Sequence, residues 1–225
     1  YSINADHVII SSNRVIANSG CDSGGGIHCY SCVKVYIYNC LFSFCRATDC
    51  GSNTEVHGGG TYIGKSELVV VVQTIFVKNM ASTYGGALYC YDTHSVITLN
   101  NKYLYNNACS GGAIYVKDAT NVKSINCVYL ANRACEDGGS MFARKMQYLY
   151  IYNSTIATNY AADDSGGVKH RGGNKTILVK TFFVNNIAKH YGGFLSWEIK
   201  YGLLIACKFI NNMASVSGGG VFVHV

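Results

Sequence analysis

The chain has 225 residues, 49 % of them hydrophobic, no proline, eleven cysteines and a formal net charge of +6. Its apolar content is ample for a core, yet no apolar run reaches the roughly 20 residues that a membrane-crossing helix needs. The Lys and Arg residues are scattered rather than gathered into a basic stripe, so a nucleic-acid partner is not expected.

Two loose copies of a phrase open the chain: Val15 and Asn18 before Gly24, then Phe42, Cys45 and Ala47 before Gly58. The phrase then tightens. Phe76, Asn79 and Ala81 precede Gly85-Gly86-Ala87-Leu88, and Tyr103, Asn106 and Ala108 precede Gly111. Tyr129, Asn132 and Ala134 precede Gly138, while Ile156, Asn159 and Ala161 precede Gly166. Phe183, Asn186 and Ala188 precede Gly192, and Phe209, Asn212 and Ala214 precede Gly218. After one step of 34, the first glycines follow one another at 26 to 28 residues. Such a period is the signature of a solenoid.

Between glycine pair and aromatic lie β-branched runs such as Leu68–Val72, Val96–Leu99 and Ile177–Val179, bounded by strand breakers. Three short strands fit one period. Stacking them in parallel pairs every backbone donor and buries one apolar column. The expected fold is all-β: a right-handed parallel β-helix of about eight coils, ~26–27 residues each, in one segment spanning 1–225. The apolar strand at its C-terminal end, without a polar cap, leads to the expectation that this segment is an internal piece of a longer protein.

Repeat residues have architectural reasons. The Asn column of Asn79, Asn106, Asn132, Asn159, Asn186 and Asn212 tolerates left-handed corners and links coils by hydrogen bonds. Asn39, Gln73, Asn100, Asn126 and Asn153 form a second polar ladder, and the glycine pair admits a sharp corner.

Phe-x-x-Asn followed by Gly-Gly-Ala-Leu or Gly-Gly-Ala-Ile, as at Phe76–Asn79, Phe183–Asn186, Phe209–Asn212, Gly85–Leu88 and Gly111–Ile114, resembles the repeat of polymorphic outer-membrane proteins. The resemblance spans nearly the whole chain. It implies a surface-displayed β-helix; the bacterial members end in an outer-membrane β-barrel, which these residues do not contain.

The cysteines point to an oxidising, extracellular or cell-surface location. Cys109 and Cys135 occupy one position in adjacent coils, within disulfide reach at strand spacing. Cys29-x-x-Cys32 lacks the second Cys or His pair that a zinc site needs, so its expected role is structural. Asn174-Lys-Thr176 is a candidate glycosylation sequon, placed in a Gly-rich loop.

Three places could hold function. The excess of coil two falls at 46–57, an insertion carrying Asp49, Cys50, Glu55 and His57. Glu136, Asp137, Asp163 and Asp164 stack in neighbouring coils and offer a weak calcium or acid-catalyst constellation, with Lys189 and His190 in the next rung as neutralising partners. No cofactor is otherwise expected. Four residues beyond each first glycine come His28, Tyr62, Tyr89, Tyr115, Phe142, His170, Ser196 and Phe222. If the aliphatic neighbours Ile27, Leu88, Ile114, Leu195 and Val221 point inward, Tyr62, Tyr89, Tyr115 and Phe142 form an outward stripe for a protein or glycan partner. The expected function is a rod for surface adhesion or assembly, without catalysis. The alternatives are a polysaccharide lyase or glycosidase on the same scaffold, and a lateral building block of a filament.

Overall fold

The computed structural model describes residues 2–3, 5–51 and 55–224. They form a parallel β-solenoid of about eight turns, with strands and no helix among the described residues. Three parallel sheets run its length: one of eleven strands and two of eight. Equivalent residues lie rung on rung. Leu88 pairs with Thr61 below and Ile114 above, and the register continues through Met141, Val168, Phe194 and Val221.

Each regular coil begins with a twelve-residue strand, as in Thr61–Val72, Leu88–Leu99 and Ile114–Ile125. A left-handed residue bends it near its middle: Lys65, Asp92, Asp118, Lys145 and Glu198, with φ between 50° and 57°, and Gly172 at 70°. A three-residue strand follows, such as Ile75–Val77, then a two-residue strand, such as Met80–Ala81, then the glycine turn. The inner column of the middle sheet stacks its rings. Phe42–Phe76, Phe76–Tyr103 and Tyr103–Tyr129 have centroids 4.8, 5.2 and 4.9 Å apart, and all four side chains are fully buried.

The Asn column is real and links the coils by side-chain hydrogen bonds as expected, but it does not take the left-handed corner. The left-handed corner belongs to the preceding residue: Lys78, Tyr105, Ala131, Thr158, Asn185 and Asn211. The asparagine itself points into the core. Asn106 Nδ2 donates to the Phe76 carbonyl and to Asn132 Oδ1, both at 3.0 Å, and its backbone N–H donates to that same oxygen at 2.9 Å. Asn132 repeats the pattern on Asn159 and the Tyr103 carbonyl. Every amide hydrogen and lone pair thus finds a partner, which lets a polar column lie in the core. Asn39, Gln73, Asn100, Asn126 and Asn153 do take the left-handed corner and are exposed.

The glycine register needs one correction. The left-handed turn residue is Gly24, Gly58, Gly85, Gly111 and Gly138, but then Ser165 and Tyr191. Gly166 and Gly192 are therefore the second members of their turns. The second position excludes a side chain because the next coil crosses it: a Cβ on Gly112 would run into the Gly139 carbonyl.

Candidate functional site

That shift of one residue rewrites the aromatic file. In register it reads His28, Tyr62, Tyr89, Tyr115, Phe142, Lys169, Leu195 and Phe222. His170 and Ser196 instead belong to the inward file with Cys29, Ile63, Cys90, Val116 and Ala143. Leu195, expected inside with the aliphatics, stands in the aromatic file.

Nor does the stripe face solvent. Tyr89, Tyr115 and Phe142 are only 4, 1 and 5 % exposed, and Tyr62 is half-buried. The turn residues fold over them: His57 lies 4.4 Å from the Tyr89 ring and Tyr84 lies 4.5 Å from Tyr115. The rings do stack, Tyr62–Tyr89 at 5.3 Å and Tyr89–Tyr115 at 5.6 Å. Their packing makes a second small core beneath the turn, which withdraws these four residues as a contact stripe. Burial pushes the Tyr62 and Tyr84 phenols up to about 12 and Tyr89 higher still.

Where the rings end, Lys169 takes their place. Its ammonium sits 5.2 Å over the Phe142 ring and 2.7 Å from both Asp137 Oδ2 and Asp164 Oδ2. Asp163, exposed, faces Lys189 at 3.9 Å and His190 at 3.8 Å. Glu136 accepts from the Ser110 hydroxyl at 3.4 Å. The four acidic residues therefore separate into different environments. Oxygens of Asp137, Asp163 and Asp164 do lie within 4.8 Å of one another, a spacing a hard cation can use. Lys169 already faces two of them, so a calcium ion there has to displace an ammonium.

The insertion is tied down. Cys21 and Cys50 are bonded with Cα atoms 5.5 Å apart, and residues 52–54 lie outside the described ones. Its C-terminal end supplies Glu55, which faces His57 at 3.6 Å and accepts from the Tyr84 hydroxyl at 3.2 Å. Burial holds the His57 imidazole below its ordinary value against the opposing pull of Glu55. The Cys109–Cys135 bridge is present with Cα atoms 4.4 Å apart, and Cys29 pairs with Cys32.

Asn174 lies not in a loop but within the strand Val168–Val179, and its sequon threonine, Thr176, is fully buried. Thr176 Oγ1 is 2.6 Å from His170 Nδ1 and 3.3 Å from Ser196 Oγ. Asn174 itself is partly exposed there.

Sequence reasoning missed the broadest feature, the outer face formed by the second halves of the long strands. Tyr36, Val70, Ile97, Lys123, Tyr150, Ile177 and Leu203 form one outward column. Tyr38, Val72, Leu99, Ile125, Tyr152, Val179 and Ile205 form a second beside it, and all are partly or well exposed. Tyr148 and Tyr201, in a third column, are 44 and 50 % exposed. At strand spacing these columns cover roughly 34 by 16 Å, on the order of 550 Å², which matches the largest apolar patches that monomeric proteins show, often functional ones. The signal was available in Leu68-Val-Val-Val-Val72, which is apolar at every position instead of alternating.

Residues 73–91 match the Chlamydia polymorphic membrane protein repeat. That stretch holds Phe76, Asn79, Ala81 and Gly85–Leu88, and the coils built around it form a parallel β-solenoid, consistent with a repeat β-helix of this type. No curated protein and no solved structure matches the chain.

Proposed function

We propose that this chain is a rod-forming segment of a cell-surface or secreted repeat protein, and that it acts by adhesion or assembly rather than catalysis. The outer sheet face carries the reading. A soluble rod has no structural need for tyrosines and aliphatics at nearly every outward position of two columns, whereas a docking surface does. The polymorphic-membrane-protein repeat at 73–91 and the three disulfides agree with display in an oxidising compartment. Other proteins or glycans are the proposed partners.

The reading as a polysaccharide-active enzyme would recruit Asp137 and Asp164, but both face the Lys169 ammonium on a turn. A general acid there has first to release that cation.

Display of the segment on a non-adherent bacterium tests the proposal. Attachment to cultured cells should rise, and Ile97→Glu with Tyr150→Glu should abolish it without unfolding the rod. Attachment unaffected by these changes, together with sugar products released from a polysaccharide panel, would reject adhesion through this face and favour the enzyme.

A further inference from the structure

The corner that holds Lys169 assembles the parts of a condensation reaction. Only 6 % of the Lys169 side chain is exposed, and it is enclosed by the Phe142 ring at 5.2 Å and by the fully buried Leu195 in the next rung. Its Nζ touches two carboxylates at 2.7 Å, and these two are not equivalent. The second oxygen of Asp137, Oδ1, accepts the backbone N–H of Asp164 at 3.3 Å. A donor at that position is placed to hold the negative charge that develops on a carbonyl oxygen under attack. Asp164 has its carboxylate beside the same amine and is free to carry protons between nitrogen and oxygen.

We propose that Lys169 Nζ and the Asp137 carboxyl condense into an isopeptide bond, with Asp164 as the proton carrier. Asp164 takes one proton from the ammonium and passes it to Asp137 Oδ2. The freed lone pair attacks Asp137 Cγ and the C–N bond forms. A second proton travels from nitrogen through Asp164 to Oδ2, the Cγ–Oδ2 bond breaks, and one water leaves. The amide keeps a single N–H, Asp164 ends as the carboxylate it began as, and no oxidant or activated donor is consumed. Condensation is unfavourable between free amines and acids in water, but groups fixed in contact react with effective molarities on the order of 10⁵ M or more. The product joins residues 32 positions apart and clamps successive turns, one rung beyond the turns already joined by Cys109–Cys135. The inference is independent of the adhesive reading, since it concerns how the rod is held together.

Intact mass spectrometry of the reduced full chain tests it. The expected mass falls short of the sequence mass by one water, about 18 Da. Trypsin should leave Lys169 uncut and release a branched peptide joining it to Asp137. Lys169→Arg keeps the charge pair but removes the nucleophile, and should restore the full mass. Asp137→Asn should lose ammonia in place of water, a deficit of about 17 Da. A folded native chain of undiminished mass overturns the proposal, as does a branch at Asp164.

Discussion

Gly173 leaves the space that His170 fills. A Cβ built on Gly173 would stand 2.7 Å from His170 Nε2 and press on the Met146 carbonyl. His170 is fully buried and anchored through Nδ1 to Thr176 at 2.6 Å, and its Nε2 has no hydrogen-bond partner among the described residues. Gly173→Ala should therefore destabilise the fold by about 2–4 kcal/mol, read as a lowered urea midpoint. A change under about 0.5 kcal/mol, the size typical of surface sites, would show that the ring can move aside.

The same histidine sets a pH dependence. Burial lowers its pKa from 6.5 to about 4. Above pH 6.5 neither state binds the proton. Between 6.5 and 4 the unfolded chain binds it and the folded chain does not, so stability falls as pH drops through that window. The full effect is roughly 3 kcal/mol. Unfolding curves of native protein and His170→Ser, the residue that the next rung carries as Ser196, should differ in slope only over that range. Parallel curves would refute a neutral buried imidazole.

The Asn column offers a sharper contrast. Asn132→Ala removes two donors and an acceptor shared with Tyr103, Asn159 and Asn106, and should cost about 2–4 kcal/mol. Asn132→Asp is nearly the same shape but turns both donor positions into a carboxylate facing oxygens. Its cost should exceed that of the alanine at pH 7 and shrink on acidification. Chemical denaturation at two pH values checks the order.

Cys109→Ser should lower stability by roughly 3 kcal/mol, given the sequence separation of 26 between the paired cysteines. Peptide mapping of non-reduced native protein should recover the Cys109–Cys135 link. Free thiols at both positions would remove this support for an oxidising compartment.

The solenoid was legible because its period is written in residues with strong backbone preferences. Glycine marks the left-handed corner at Gly85, Gly111 and Gly138, and the Phe-x-x-Asn phrase marks the next strand. The same reliance on glycine misplaced the register where Ser165 and Tyr191 adopt that corner, since nothing in a serine or tyrosine announces positive φ. From that single residue followed the exchange of Lys169 for His170 and of Leu195 for Ser196. Burial of Tyr89 and Tyr115 was illegible for another reason: alternation separates the two sides of a strand, but not whether a turn folds back over the outer side. The Cys109–Cys135 bridge needed only repeat counting, because its neighbourhood keeps register with the glycines.

Coil two places Cys45 where coil three has Asn79. Its backbone N–H still donates to Asn79 Oδ1 at 3.0 Å, but its side chain offers only a thiol, directed to the Val15 and Ser43 carbonyls at 3.4 and 3.6 Å. A thiol is a weak donor compared with an amide. Under tension along its length, the rod should therefore yield first near its N-terminal end. The first coil would peel away there before the remainder gives, since Asn79 Nδ2 already links the next seam to the Phe42 carbonyl at 3.0 Å. Cys21–Cys50, which spans the yielding seam, limits how far the chain pays out.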